Sequence, residues 1–244
     1  VNLLKLYIVK IIMEIILTLL KSNRILFVAG LVFLASALFH AAVWWLAGMP
    51  TLTGPVSWRK PITFGLSTGV LLLSLGWVLG LLPVTPRRQR QAWLLSALLV
   101  AEVGLIDMQQ WRGVASHFNA ATAFDSAVFT TMGVLILAAS VVIALWTRDV
   151  FTQPLAASRL NVLAIRTGMV MLNVGNLIGL AMSVSGLTAL KPLHGAALHV
   201  IQALPVAAWT LVAILRAWRR FSYPRTWFAS RVSRWFSSPH WQHR

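Results

Sequence analysis

Six apolar runs, each long enough to cross a bilayer, decide most of what this chain can fold into. They cover residues 25–47, 62–82, 91–108, 126–147, 160–182 and 193–215. About 18–20 residues rising 1.5 Å each traverse the ~30 Å hydrocarbon core of a membrane. Inside that core the backbone finds no water, so each run must satisfy its own amides and carbonyls as a helix. Breakers separate the runs: Gly48-Met49-Pro50, Pro83 to Pro86, the polar stretch 109–119, Gln153-Pro154 and residues 185–192. Pro61 and Pro192 suit a first helical position, where a missing N–H costs nothing. Thr122 followed by Asp125 reads as a cap opening the fourth helix.

Composition agrees with a lipid solvent. Hydrophobic residues make up 58% of the 244 and charged residues 11%, with mean hydropathy +0.77, whereas soluble domains carry about 25% charged residues. The absence of cysteine excludes disulfides, thiolate-ligated haem, iron–sulfur clusters and covalent c-type haem attachment. No phosphate loop, dinucleotide fingerprint, catalytic serine motif or HExxH metal motif is present. The expected fold is an all-α integral membrane bundle of about six transmembrane helices over residues 24–216. An amphipathic segment, 1–23, precedes it, and a basic, aromatic tail, 217–244, follows. The sequence opens on Val1, which leaves open a non-AUG start, a trimmed upstream segment or a start at Met13.

The net charge of +16 sits at the ends of apolar runs and in the tail. Seventeen of the 21 Lys and Arg fall on one side of the alternating topology, and only Arg59, Lys60, Arg112 and Lys191 fall on the other. Retention of positive loops in the cytoplasm predicts both termini inside. Residues 3–20 leave two readings open. Spanning would bury Lys10 and Glu14, at about 2.5–3.5 kcal/mol for a central lysine; lying in the inner interface avoids that cost. The tail interleaves arginine with Trp218, Trp227, Phe228, Trp235 and Phe236, a pattern that suits anionic inner-leaflet lipid. Nucleic acid is not an expected partner.

On this topology His40, His117, His194 and His199 all map to the outer half. Arg59, Lys60, Glu102, Asp107, Arg112, Asn119, Asn173, Asn176 and Gln202 join them there. His40 and His199 each lie roughly 10 Å below the outer boundary, and ionisable groups at such depth usually line an interior or a water-filled cavity. The expectation is an outward-facing polar cavity lined by His40, Glu102, Asp107, Asn173, Asn176, His199 and Gln202. Several uses of it stay open. The four histidines could hold haem b or a metal ion. Glu102 and Asp107 could perform acid–base catalysis on a lipophilic substrate, with Arg59, Lys60, Arg112, Asn119, Asn173, Asn176 and Gln202 holding the small molecule. The cavity could be half of a transport pathway for a small polar or anionic solute. Alternatively, the polar groups pair with one another in a structural membrane subunit. Ion pairs of Arg59, Lys60 and Arg112 with Glu102, Asp107 and Asp125 are expected. The glycines of the second and fifth helices, Gly65, Gly69 and Gly76 with Gly168, Gly175 and Gly179, read as small-residue helix packing.

Three stretches carry a resemblance: Ser57-Trp58-Arg59-Lys60-Pro61-Ile62-Thr63-Phe64-Gly65, then Gln109-Gln110-Trp111-Arg112-Gly113 through Ser116-His117-Phe118-Asn119, and His194 to His199 followed by Gln202-Ala203-Leu204-Pro205. Together they resemble an uncharacterised group of bacterial multi-pass membrane proteins, over residues 34–205. The resemblance implies a bacterial inner membrane and a polar cluster on the outward side. It implies no activity, substrate or cofactor.

Overall fold

A computed structural model of the chain describes residues 23–222. The N-terminal amphipathic segment and the tail beyond residue 222 lie outside the described residues. Among the described residues every regular element is helical: α1 (Arg24–Leu46), α2 (Arg59–Gly80), α3 (Pro86–Trp111), α4 (Ala123–Thr152), α5 (Arg159–Ser185), a 3₁₀ turn (Thr188–Leu190) and α6 (Lys191–Ser222). All six α-helices contain stretches long and apolar enough to cross a membrane. The chain is therefore an all-α, multi-pass membrane protein. We call the end where α1, α3 and α5 begin the basic end, and the opposite one the distal end.

Local chemistry sets the helix boundaries. Thr85, Thr122 and Ser158 each accept the backbone N–H three residues on, those of Arg88, Asp125 and Asn161, opening α3, α4 and α5. Gly186, at φ 71°, closes α5 in the left-handed conformation, which costs glycine nothing. The two prolines sit slightly further in than expected. α2 begins at Arg59 and α6 at Lys191, placing Pro61 third and Pro192 second. Both remain within the first turn, whose amides have no intrahelical partner.

Two hairpins pack backbone to backbone. A Cβ at Gly69 would stand 2.9 Å from the Gly30 carbonyl oxygen, and one at Gly65 3.0 Å from that of Phe33; α1 and α2 thus touch where only glycine fits. In the other hairpin, Gly168 receives Ile201, Gly175 receives Leu198 and Gly179 receives the His194 imidazole, with contacts of 2.7–2.8 Å to the positions a Cβ would occupy. Close approach of this kind replaces the hydrophobic drive that lipid removes.

α3 and α4 lie between these hairpins and are joined at both ends. At the basic end Arg88, 4% exposed, donates from Nε to Asp149 at 3.0 Å and reaches the Pro83 carbonyl and Gln153. At the distal end Arg112, just past α3, donates to Asp125 at 2.7 Å. Trp146 and Gln91 add a 3.0 Å hydrogen bond near the basic end.

The α4–α5 contact is one-sided. Asn173 donates to Thr147 at 2.7 Å, and Arg166 Nε to the Val150 carbonyl at 3.2 Å; both ties lie toward the basic end. The buried residues of α5 run from Asn161 to Gly175 and stop. Beyond that point α5 keeps α6 as its neighbour, while α4 leans on α3 through Val128, Met132 and Ile106.

Candidate functional site

The distal end gathers the first two of the three resembling stretches into one polar and aromatic cluster. α1 supplies His40 and the N-terminus of α2 supplies Trp58, Arg59 and Lys60. The end of α3 and the following loop add Asp107, Gln109, Trp111, Arg112, Ser116 and His117. Lys191 opens α6.

His40 is buried, at 3% exposure, and both ring nitrogens are engaged. Nδ1 lies 2.9 Å from the Ser36 carbonyl, so it carries the proton, and Nε2 accepts the Trp111 indole N–H at 3.1 Å. This pattern makes His40 a neutral, oriented imidazole. Trp58 and Trp111 meet edge to face at 5.1 Å and flank it. Ser36 Oγ also donates to Asp107 at 3.4 Å, which ties α1 to α3. Asp107 Oδ1 and Glu102 Oε2 are buried without a hydrogen-bond partner. Among the described residues, the ion pairs expected for these two carboxyl groups do not form, and of the distal acids only Asp125 meets an arginine.

A second line of contacts starts at Lys60. Its ammonium donates to Ser116 Oγ at 3.2 Å, and Ser116 lies 2.9 Å from His117 Nδ1. Because the ammonium can only donate, the serine hydroxyl is free to donate onward, leaving His117 as acceptor. His117 sits between Phe64 and Phe129, with ring centroids at 5.5 and 6.2 Å. Its pKa is lowered to about 4, first by burial and then by the Lys60 and Lys191 charges. Lys60 is within electrostatic reach of Arg59 as well. Among the described residues no carboxylate lies within 4 Å of Arg59, Lys60 or Lys191.

The loop holding His117 is tightly constrained. Asn119 donates to the Ala115 carbonyl at 2.9 Å and accepts the Ala121 amide at 3.1 Å, so its amide closes the loop on itself. Phe118 adopts φ 56°, a left-handed conformation costing roughly 1–2 kcal/mol for a residue with a Cβ. Its ring packs on Phe129 at 5.3 Å. Beside this loop Asp125 collects Gln109, Arg112 and the Thr122 hydroxyl, and Arg112 lies 4.7 Å over the Phe124 ring.

The remaining expected site residues go elsewhere. Asn173 pairs with Thr147, five residues before the basic end of α4, so it is not at the depth of His40. His194 points into α5, at 2.8 Å from the Gly175 carbonyl, and acts as a packing knob between Gly175 and Gly179. His199 is exposed and meets Gln202 of its own helix at 3.3 Å. Asn176 has a buried Nδ2 without a partner. The four histidines therefore do not converge, and among the described residues no group of three His, Asp or Glu could hold a metal ion. The sequence named Trp58, Trp111 and Ser116 only within the resembling stretches, with no site role, and passed over Ser36 altogether. Ser36 stood one helical turn before His40, which is the signal that could have found it.

Compared with known proteins, the chain matches no family model, no curated protein and no solved structure.

Proposed function

We propose that this protein recognises an anionic headgroup at the distal mouth of its helix bundle, as a membrane protein that binds an acidic amphiphile. The observation that carries the reading is the trio of Lys60, Lys191 and Arg59, which has no carboxylate counterion among the described residues. Uncompensated cations at a membrane boundary raise the local concentration of anions. Trp58 and Trp111, amphipathic aromatics, suit the level where headgroup and tail meet. Neutral His117 avoids adding a third positive charge near two lysines, one part-buried and one exposed, yet gains the capacity to take a proton when an anion arrives.

The positive-inside bias supports a cytoplasmic basic end, and the resemblance supports a bacterial inner membrane. A second reading, acid–base work on the bound molecule, has one observation in its favour: Asp107, linked through Ser36 to the oriented His40, keeps one carboxyl oxygen unpartnered. The haem or metal reading has no such support, since His40 would have to surrender Trp111 and His199 faces away.

Titration calorimetry of the detergent-purified full chain tests the main reading, with dihexanoyl phosphatidic acid against dihexanoyl phosphatidylcholine. Saturable binding of the acid, weakened about tenfold or more in Lys60→Gln/Lys191→Gln and by added salt, is expected. Equal binding of both lipids, or indifference to the lysines, overturns it.

A further inference from the structure

The headgroup site has a continuation into the membrane. On α4 the stripe that meets α5 runs upward from Thr147 at helical spacing through Ile143, Ser140, Ile136 and Gly133 to Phe129. Ile143 is buried, at 3%, but Ile136 is 42% exposed and a Cβ at Gly133 would meet nothing within 4 Å. On α5 the matching stripe runs from Asn173 to Leu180 and Val184, which are 47% and 82% exposed. The same two faces that are hydrogen-bonded near the basic end are thus parted near the distal end. The two helices form a fork.

Three features say what the fork is for. Its walls are apolar and open sideways to lipid. Its depth, the rise from Asn176 to Ser185 on α5, is about 14 Å, close to the ~15 Å of one hydrocarbon leaflet. Its α4 wall ends at Phe129, which touches His117, and His117 lies within the field of Lys60 and Lys191. Asn176, with an unpartnered amide nitrogen, stands near the vertex. We infer that the fork between α4 and α5 seats an acyl chain of an anionic phospholipid from the distal leaflet, with its phosphate on Lys60 and Lys191. This rests on the headgroup reading and adds the occupant and its lateral route of entry. A zwitterionic lipid would fill the same gap, but its choline would face the lysines. Charge complementarity selects the acidic lipid.

Native mass spectrometry of the full chain tests the inference, with added palmitoyl-oleoyl phosphatidylglycerol, palmitoyl-oleoyl phosphatidylcholine and short-chain dihexanoyl phosphatidic acid. The unaltered chain should retain the long-chain acidic lipid about tenfold better than the choline lipid. Gly133→Trp, placed in open space, should fill the fork and abolish that retention while leaving dihexanoyl phosphatidic acid bound. Val184→Trp on the facing wall repeats the test should Gly133→Trp lose its thermal unfolding transition. Long-chain retention unchanged in folded fork variants overturns the fork and spares the headgroup site. A preference for acidic lipid that survives Lys60→Gln/Lys191→Gln overturns the headgroup site itself.

Discussion

The two ends of the bundle use one device and differ in what they leave over. At each, an arginine from an end of α3 meets an aspartate of α4: Arg88 with Asp149 at the basic end, Arg112 with Asp125 at the distal end. At the basic end Arg88 is closed in by Asp149, Gln153 and the Pro83 carbonyl, and Asp149 also receives Arg87 at 3.5 Å. Beside its Arg112–Asp125 pair, the distal end has, among the described residues, cations without carboxylates and carboxyl groups without cations. Pairing at the basic end holds helices together; the groups left over at the distal end are those the proposed headgroup site draws on.

The comparison breaks most sharply at Asp149. Asp149→Ala strands a buried guanidinium, and removing one partner of a buried pair costs about 3–5 kcal/mol. Thermal unfolding in detergent should show the largest loss of any single substitution here. Asp125→Ala should cost less, because the Arg112 side chain is 38% exposed and can turn to water. Equal losses at the two ends would remove the distinction between them. The next effect lies in the glycine contacts. Gly168→Leu or Gly69→Leu forces a side chain into a neighbouring helix and should lower stability by about 1–3 kcal/mol, whereas Gly104→Leu faces open space and should change the unfolding temperature little.

These contacts mark where the sequence was legible. Lipid permits one backbone solution, so runs and breakers placed all six helices, and the glycines of α2 and α5 were readable as packing positions. The rotation of each helix was not. His194 and His199 look equivalent along the chain, yet His194 shares a stripe with Leu198 and Ile201 that faces the α5 glycines, and His199 lies one residue off it. Depth failed at Asn173 for a related reason. Arg166, seven residues into α5, pairs with Val150, two residues from the end of α4. α5 therefore starts below the end of α4, and every residue counted along it sits nearer the basic end than its run suggests. The expected single cavity dissolves accordingly: His40 and Asp107 stay together, while Asn173, His199 and Gln202 leave.

A smaller effect separates the ends by pH. The His117 pKa, about 4, is below the usual imidazole value near 6.5. Between these values the unfolded chain binds a proton that the folded one refuses, so stability falls as pH drops from about 6.5 to 4 and levels off below. His117→Gln should flatten that slope. Burial is the larger cause of the lowered value and the Lys60 and Lys191 charges the smaller; saturating anionic lipid should shift the lower limit upward by offsetting those charges. A slope identical with and without lipid counts against the headgroup site.

The finest test sits at His40. Trp111→Phe keeps the aromatic packing on Trp58 and Phe39 but removes the one donor to Nε2. A lost neutral hydrogen bond is worth about 1 kcal/mol, small beside the Asp149 effect and measurable by thermal unfolding. His199→Ala, on the exposed face of α6, should stay within about 0.5 kcal/mol of the unaltered chain. A Trp111→Phe chain as stable as the unaltered one would mean that the indole N–H contributes nothing at His40.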